Sequence, residues 1–232
     1  MSRETAGKGL FTQTRVVLRK DLVLSWRGRA RGVAMLSFAV VTLMLFSFAV
    51  GPNAEVLSRH AGGYLWLALL LSSVLALGQS FQLELEDSAL EGLALLPVDP
   101  RALFFGKALA NTLQLVVLGL LLVPISLGLF GASVHGSWLD LARVLVLGTA
   151  GLAAPGTLYS AMTSRAKGKD VMLPLLLFPL VVPVLLAATK ATNLALLGDP
   201  MNQGTSWAFI LICFALVYWA LCPLLFGRVL DD

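Results

Sequence analysis

The chain has 232 residues, of which 58% are hydrophobic and only 13% charged, with a formal net charge of +4. Between its apolar runs no segment is long enough to form a sizeable water-soluble domain, which places the work of the protein in or across a membrane. The positive charge needs no nucleic acid to explain it, because cytoplasmic cations of a membrane protein also contact anionic lipid.

Residues 1–31 carry eight of the 17 Lys and Arg. Within them Phe11, Leu18, Leu22 and Trp26 fall on one helical face, with Arg15 and Arg19 placed to reach headgroups. The pattern predicts a basic interfacial helix on the cytoplasmic surface, followed by a turn into the membrane over residues 28–32. A merely basic tail that serves topology is the alternative.

Six stretches then contain no Asp, Glu, Lys or Arg: residues 32–54, 60–83, 108–139, 144–164, 171–189 and 200–227. The shortest has 19 residues, and a bilayer-spanning helix needs about 20. The expected fold is an all-α integral membrane protein with spans at about 32–50, 62–83, 104–130, 138–164, 171–189 and 207–228. The first is too long for the apolar region of a cleavable signal. Fourteen cations fall before the first span and in alternate loops, against Arg59, Arg143 and Lys190 on the other side. The positive-inside rule therefore predicts both termini in the cytoplasm. Tyr64, Trp66, Trp138 and Trp207 come at the predicted outer span ends, where amphipathic rings favour the headgroup level.

The loop between spans two and three, at residues 84–101, is acidic where cations would be expected. If residues 83–95 are helical, Glu84, Asp87 and Glu91 share one face, beside an apolar strip of Leu83, Leu90 and Ala94. Like charges so placed repel, so this face should meet a basic surface. That surface is either a cytoplasmic partner or the cations of residues 1–31, and the two are compatible. Pro97 and Pro100 end such a helix and lead into span three.

Polar groups inside spans are the remaining candidates for chemistry. Lys107, Asn111 and Gln114, at i, i+4 and i+7, make a polar stripe on span three that should face other helices, a transport path or a subunit seam. Pro155 should kink span four, and Pro174, Pro179 and Pro183 should bend or break span five. His60 and His135 fall in predicted outer loops and read as ordinary solvated histidines. Cys213 and Cys222, nine residues apart in span six, point to neither a disulfide nor a metal site. No catalytic constellation is present: H-E-x-x-H, G-x-S-x-G and the phosphate loop G-x-x-x-x-G-K-[ST] are all missing.

The run from Glu86 to Leu93, then Leu96, Pro97, Val98 and Asp99 with Gly106 and Lys107 beyond, resembles the haem-exporter permease subunit of bacterial cytochrome c maturation, the CcmB family. The likeness continues at Ala154, Pro155, Gly156 and Thr157, and in the run of Leu173, Pro174, Phe178, Pro179, Val182 and Pro183, so that it covers most of residues 15–190. Phe81 is followed three residues later by Glu84, where the family often carries Asp. The resemblance implies a six-span permease of an ABC-type export system in the bacterial inner membrane, without tightly bound cofactors, whose ATP is hydrolysed on a separate cytoplasmic ATPase. It implies haem as cargo, or the release of a haem-loaded chaperone from a partner membrane protein of the maturation system. Phe81, Glu84, Asp87, Glu91 and Asp99 would then couple to the ATPase. Lys107, Asn111, Gln114, Pro155, Pro174, Pro179 and Pro183 would serve the path or helix packing. Since an ABC motor has two ATPase chains, a homodimer of this chain is expected. A general export permease for a drug, lipid or polysaccharide is the alternative, and a non-transporting scaffold a third class.

Overall fold

The computed structural model describes residues 9–81, 99–164 and 169–231. Among these residues all regular structure is helical: α1 (Leu10–Arg27), α2 (Arg29–Val50), α3 (Ala54–Gln79), α4 (Pro100–Phe130), α5 (Trp138–Ser164), α6 (Lys169–Leu197) and α7 (Gly204–Asp231). The last six are long and apolar enough to cross a bilayer. The chain is a multi-pass membrane protein.

Helix ends follow local chemistry. The Asn53 side chain accepts a hydrogen bond from the Val56 amide to start α3, and Asp99 caps α4 by accepting from the Arg101 amide, with Pro100 at the first helical position. Gly131, at φ 61°, closes α4 in the left-handed conformation that glycine adopts without penalty. The turn from α1 into α2 is tighter than the expected 28–32 segment. Gly28 alone separates the two helices, because Arg29 and Arg31 already lie in the first turn of α2. Neither helix is interrupted at proline: α5 continues through Pro155, and α6 through Pro174, Pro179 and Pro183.

The centre of the bundle is α5, with 72% of its span window buried, flanked by α3 at 61%, whereas α2 and α7 are peripheral at 22% each. Small residues permit this packing. Gly148 of α5 lies directly under the Trp66 ring, where a Cβ would collide. Trp66 is therefore a core residue and not the interfacial anchor that its sequence position predicts. Its Nε1 donates to Thr192 Oγ1 at 2.9 Å and ties α3 to α6. Tyr64, by contrast, is half-buried and stacks on Phe46 at 4.9 Å, while Trp138 is exposed.

Helix α1 packs along the start of α4. Its inner side is formed by Thr14, Val17 and Asp21, and Gly106 of α4 lets it approach so closely that a Cβ there would stand 2.6 Å from Val17 Cβ. The apolar face expected from sequence is split. Leu18 and Leu22 are half-buried, Trp26 has no described side-chain position, and Phe11, 81% exposed, points away from the bundle with Val16. A second apolar cluster, with Phe81, Phe104, Leu158 and Phe226 at its centre, fills the end of the bundle beside α1.

Candidate functional site

Among the described residues, charge enters the bundle interior at the polar stripe of α4. Lys107 is 1% exposed; its ammonium lies 3.1 Å from Asp21 Oδ2 on α1, donates to the Ser80 carbonyl at 3.2 Å, and stands 4.6 Å from the centre of the Phe81 ring. A cation at membrane depth costs several kcal/mol unless compensated. Here a carboxylate, a carbonyl and an aromatic face supply that compensation. One turn along, Asn111 Nδ2 donates to Thr157 Oγ1 at 2.9 Å and to Ser80 Oγ at 3.4 Å, and Thr157 in turn donates to the Ala153 carbonyl at 2.7 Å. Gln114 Nε2 reaches Met35 Sδ on α2 at 3.2 Å. The stripe thus joins α4 to α1, α2, α3 and α5. A cavity of about 40 Å³ remains beside it.

Near the same end, the Asp99 amide donates to Gln13 Oε1 at 3.1 Å. Ser160 of α5 donates to the Leu77 carbonyl of α3. Residues 80–81 and 99–107, which flank the acidic segment, are therefore held by α1, α5 and α7, since Phe81 and Phe104 both pack on Phe226 with ring centroids 6.2 and 5.5 Å away.

Several expected site residues can be placed against this frame. Lys107, Asn111 and Gln114 lie along one side of α4, and each meets a neighbouring helix. Phe81, 1% exposed, offers no surface to a partner; it anchors the end of α3. Asp99 is exposed and acts as a helix cap. Pro155 is buried in α5 two residues from Asn111's partner Thr157, whereas Pro179 and Pro183 are exposed on α6 and Pro174 is half-buried. Glu84, Asp87 and Glu91 lie outside the described residues.

Asp21, Ser80 and Met35 belong to the network and were not singled out by sequence, and Thr157 entered only among the residues that carry the family resemblance. Asp21 had a signal, as the only acid between residues 9 and 54. The histidines stand at the opposite end: His60 is exposed with Nδ1 2.9 Å from the Val56 carbonyl, and His135 Nδ1 lies 3.1 Å from the Leu196 carbonyl. Among the described residues no three His, Cys, Asp or Glu gather to hold a metal, and both cysteines are free thiols.

Six membrane-length helices, a helix packed against the amino end of α4 and a polar network at that junction define a multi-pass membrane protein built like a permease subunit. The model of the CcmB protein family matches residues 12–231, and the chain belongs to that family. It is 38% identical over 175 residues to heme exporter protein B of Rhodobacter capsulatus, covering 74% of this chain and 78% of the relative. It is 36% identical to heme exporter protein B of Paracoccus denitrificans over 193 residues, or 81% and 86% of the two chains. The Escherichia coli protein of that name is 35% identical over 190 residues, 80% of this chain and 84% of the relative.

Proposed function

We propose that this chain is the membrane subunit of an ABC-type transporter for haem export or delivery in c-type cytochrome assembly, driven by ATP hydrolysis on a separate cytoplasmic ATPase. Family membership and the names of the relatives as heme exporter proteins support the haem assignment. The observation that carries the mechanism is the frame around residues 82–98. Ser80 before this segment and Lys107 after it meet in one hydrogen-bonded network with Asp21 and, through Asn111, with Thr157 of the central helix. A push on the acidic segment would therefore reach α1, α4 and α5 together. Glu84, Asp87 and Glu91 form its contact with a basic surface of the ATPase.

The end that carries α1 faces the cytoplasm in this reading. By sequence, fourteen of the 17 Lys and Arg fall on that side, against Arg59, Arg143 and Lys190 on the other. A pair of ATPase chains requires two membrane halves, and the largely exposed outer sides of α2 and α7 leave space for a second copy of this chain. A haem chaperone and other membrane proteins of cytochrome c maturation complete the assembly.

Affinity isolation of the native complex tests the proposal. The expected result is co-isolation of an ATPase, haem and the maturation proteins, with two copies of this chain by native mass measurement. One copy per ATPase pair would assign the second half to another membrane protein, and absence of both ATPase and haem would refute the transporter reading.

A further inference from the structure

Hydrogen bonds between elements fall into two groups along the bundle, and α5 passes from one group to the other at Pro155. At the end opposite α1, the Gly62 amide and Trp66 Nε1 of α3 donate to Asn193 and Thr192 of α6, and the amides of His135 and Gly136 donate to the Leu196 and Ala195 carbonyls. In the same group Trp219 Nε1 of α7 donates to the Ala150 carbonyl of α5 at 3.0 Å. Toward α1, Asn111 donates to Thr157 at 2.9 Å and Ser160 donates to the Leu77 carbonyl, beside the contacts of Lys107, Gln114 and Asp99. Among the described residues α6 and α7 enter only the first group, and α1, α2 and α4 only the second.

A layer without such ties separates the two. On α3 it holds Ser72, between Trp66 and Leu77; its Oγ is the one buried side-chain polar atom among the described residues that has no hydrogen bond. On α5 it holds residues 151–156. Pro155 has no amide to offer the Gly151 carbonyl, so the helix lacks a rung there. Glycines flank the gap: a Cβ at Gly151 would touch Val184 of α6 and Phe214 of α7, and one at Gly156 would collide with Leu77 of α3. Long helices bend at prolines because a rung is already missing. The contacts of α4 with α7 are apolar rings, Phe105 on Trp219 and Phe104 on Phe226, which can slide without stranding a polar group.

We propose that Pro155 is a pivot in the central helix and that Trp219 is the positioning residue that holds the half of α5 before it. Residues 157–164 then move with α4 and the end of α3, while residues 138–150 stay with α6 and α7. The proposal rests on the reading of residues 82–98 as the place where the ATPase acts, since a push there enters α5 through Asn111 and Thr157.

Hydrogen exchange of α5, read on the full chain in mild detergent, tests the pivot without a transport assay. Trp219→Phe keeps a ring but removes the donor; it should speed exchange severalfold in residues 139–151 and less than twofold in residues 157–164. Thr157→Val should do the reverse. Pro155→Ala, which restores the missing rung, should slow exchange of residues 152–156 about tenfold without lowering the unfolding midpoint. In a deletion strain that has lost c-type haem staining, the Pro155→Ala chain should restore severalfold less staining than wild type with ATPase co-isolation unchanged. Pro124→Ala, at an exposed proline of α4, should restore it nearly in full. Loosening of both halves of α5 by either Trp219→Phe or Thr157→Val would overturn the pivot, as would wild-type staining with Pro155→Ala. Failure of the wild-type chain to co-isolate an ATPase would refute the transporter reading instead, and the exchange pattern would still decide whether α5 pivots.

Discussion

Lys107 and Asp21, 86 positions apart in the chain, meet as an ion pair at 3.1 Å in which the ammonium is 1% exposed and the carboxylate 13%. The pair joins a helix outside the six spans to the second turn of α4. It also sits directly after the acidic segment on which a motor would act. A buried pair is weak evidence of net stabilisation, because desolvation offsets much of the attraction, but removing one partner strands the other.

The first prediction follows from that asymmetry. Asp21→Asn or Lys107→Met alone should destabilise the detergent-solubilised protein by about 3–5 kcal/mol, whereas the double variant should recover most of the loss. Thermal unfolding of the four proteins measures the coupling. Additive losses would show that the two side chains act independently. Limited proteolysis should cut α1 faster in the single variants than in the double.

Close approach at Gly106 gives a second prediction with its own control. A methyl group there would stand 2.6 Å from both Cβ and Cγ1 of Val17 and 3.1 Å from the Thr14 carbonyl oxygen. Gly106→Ala should therefore displace α1 and cost about 1–3 kcal/mol. Val17→Ala should not rescue it, since the clashing Cβ remains, but Val17→Gly should restore part of the loss. Rescue by Val17→Ala equal to that by Val17→Gly would contradict the geometry.

How much of this was legible in the chain differs by feature. Six spans were readable because the absence of charge over 19 residues or more is a one-dimensional signal that bilayer thickness converts directly into structure. The stripe of Lys107, Asn111 and Gln114 was readable for the same reason: polar residues at helical spacing in an apolar run must find partners. Their partners were not. Asp21, Ser80 and Thr157 lie on three other helices, and nothing in helical periodicity says which faces will meet. Trp66 shows the same limit, since its position near a span end fits an interfacial anchor until Gly148 of α5 is seen beneath its ring. Pro174, Pro179 and Pro183 read as bends or breaks, and α6 continues through all three without interruption, as membrane helices can when neighbouring groups satisfy the freed carbonyls.

The acidic segment supplies the third prediction. Glu84, Asp87 and Glu91 share one helical face by spacing, and like charges so arranged call for a basic surface. Changing all three to Lys should lower copurification of the ATPase more than tenfold while membrane insertion is unchanged. Asp99→Asn should have little effect, because asparagine caps a helix as well as aspartate does. Unchanged ATPase recovery in the triple variant would refute the coupling role.

The fourth prediction tests haem delivery as distinct from the architecture, which many exporters could share. Loss of the gene should remove covalently bound haem from periplasmic c-type cytochromes while leaving b-type cytochromes intact, because the latter need no delivery to an outer-face attachment step. The polar network should matter in the same assay. Lys107→Leu should lower c-type haem staining by severalfold, since it strands Asp21 and loosens the joint between α1 and α4. Leu120→Ala is the matched control: it lies on the same helix but is 55% exposed, so it removes no buried contact and should leave staining near wild type. Haem staining and spectra of membranes from the complemented deletion strain measure both effects. Normal c-type cytochromes in the deletion strain, with no second copy of the gene, would assign the protein to export of another cargo, whereas equal losses for the two variants would mean that the network has no special part in delivery.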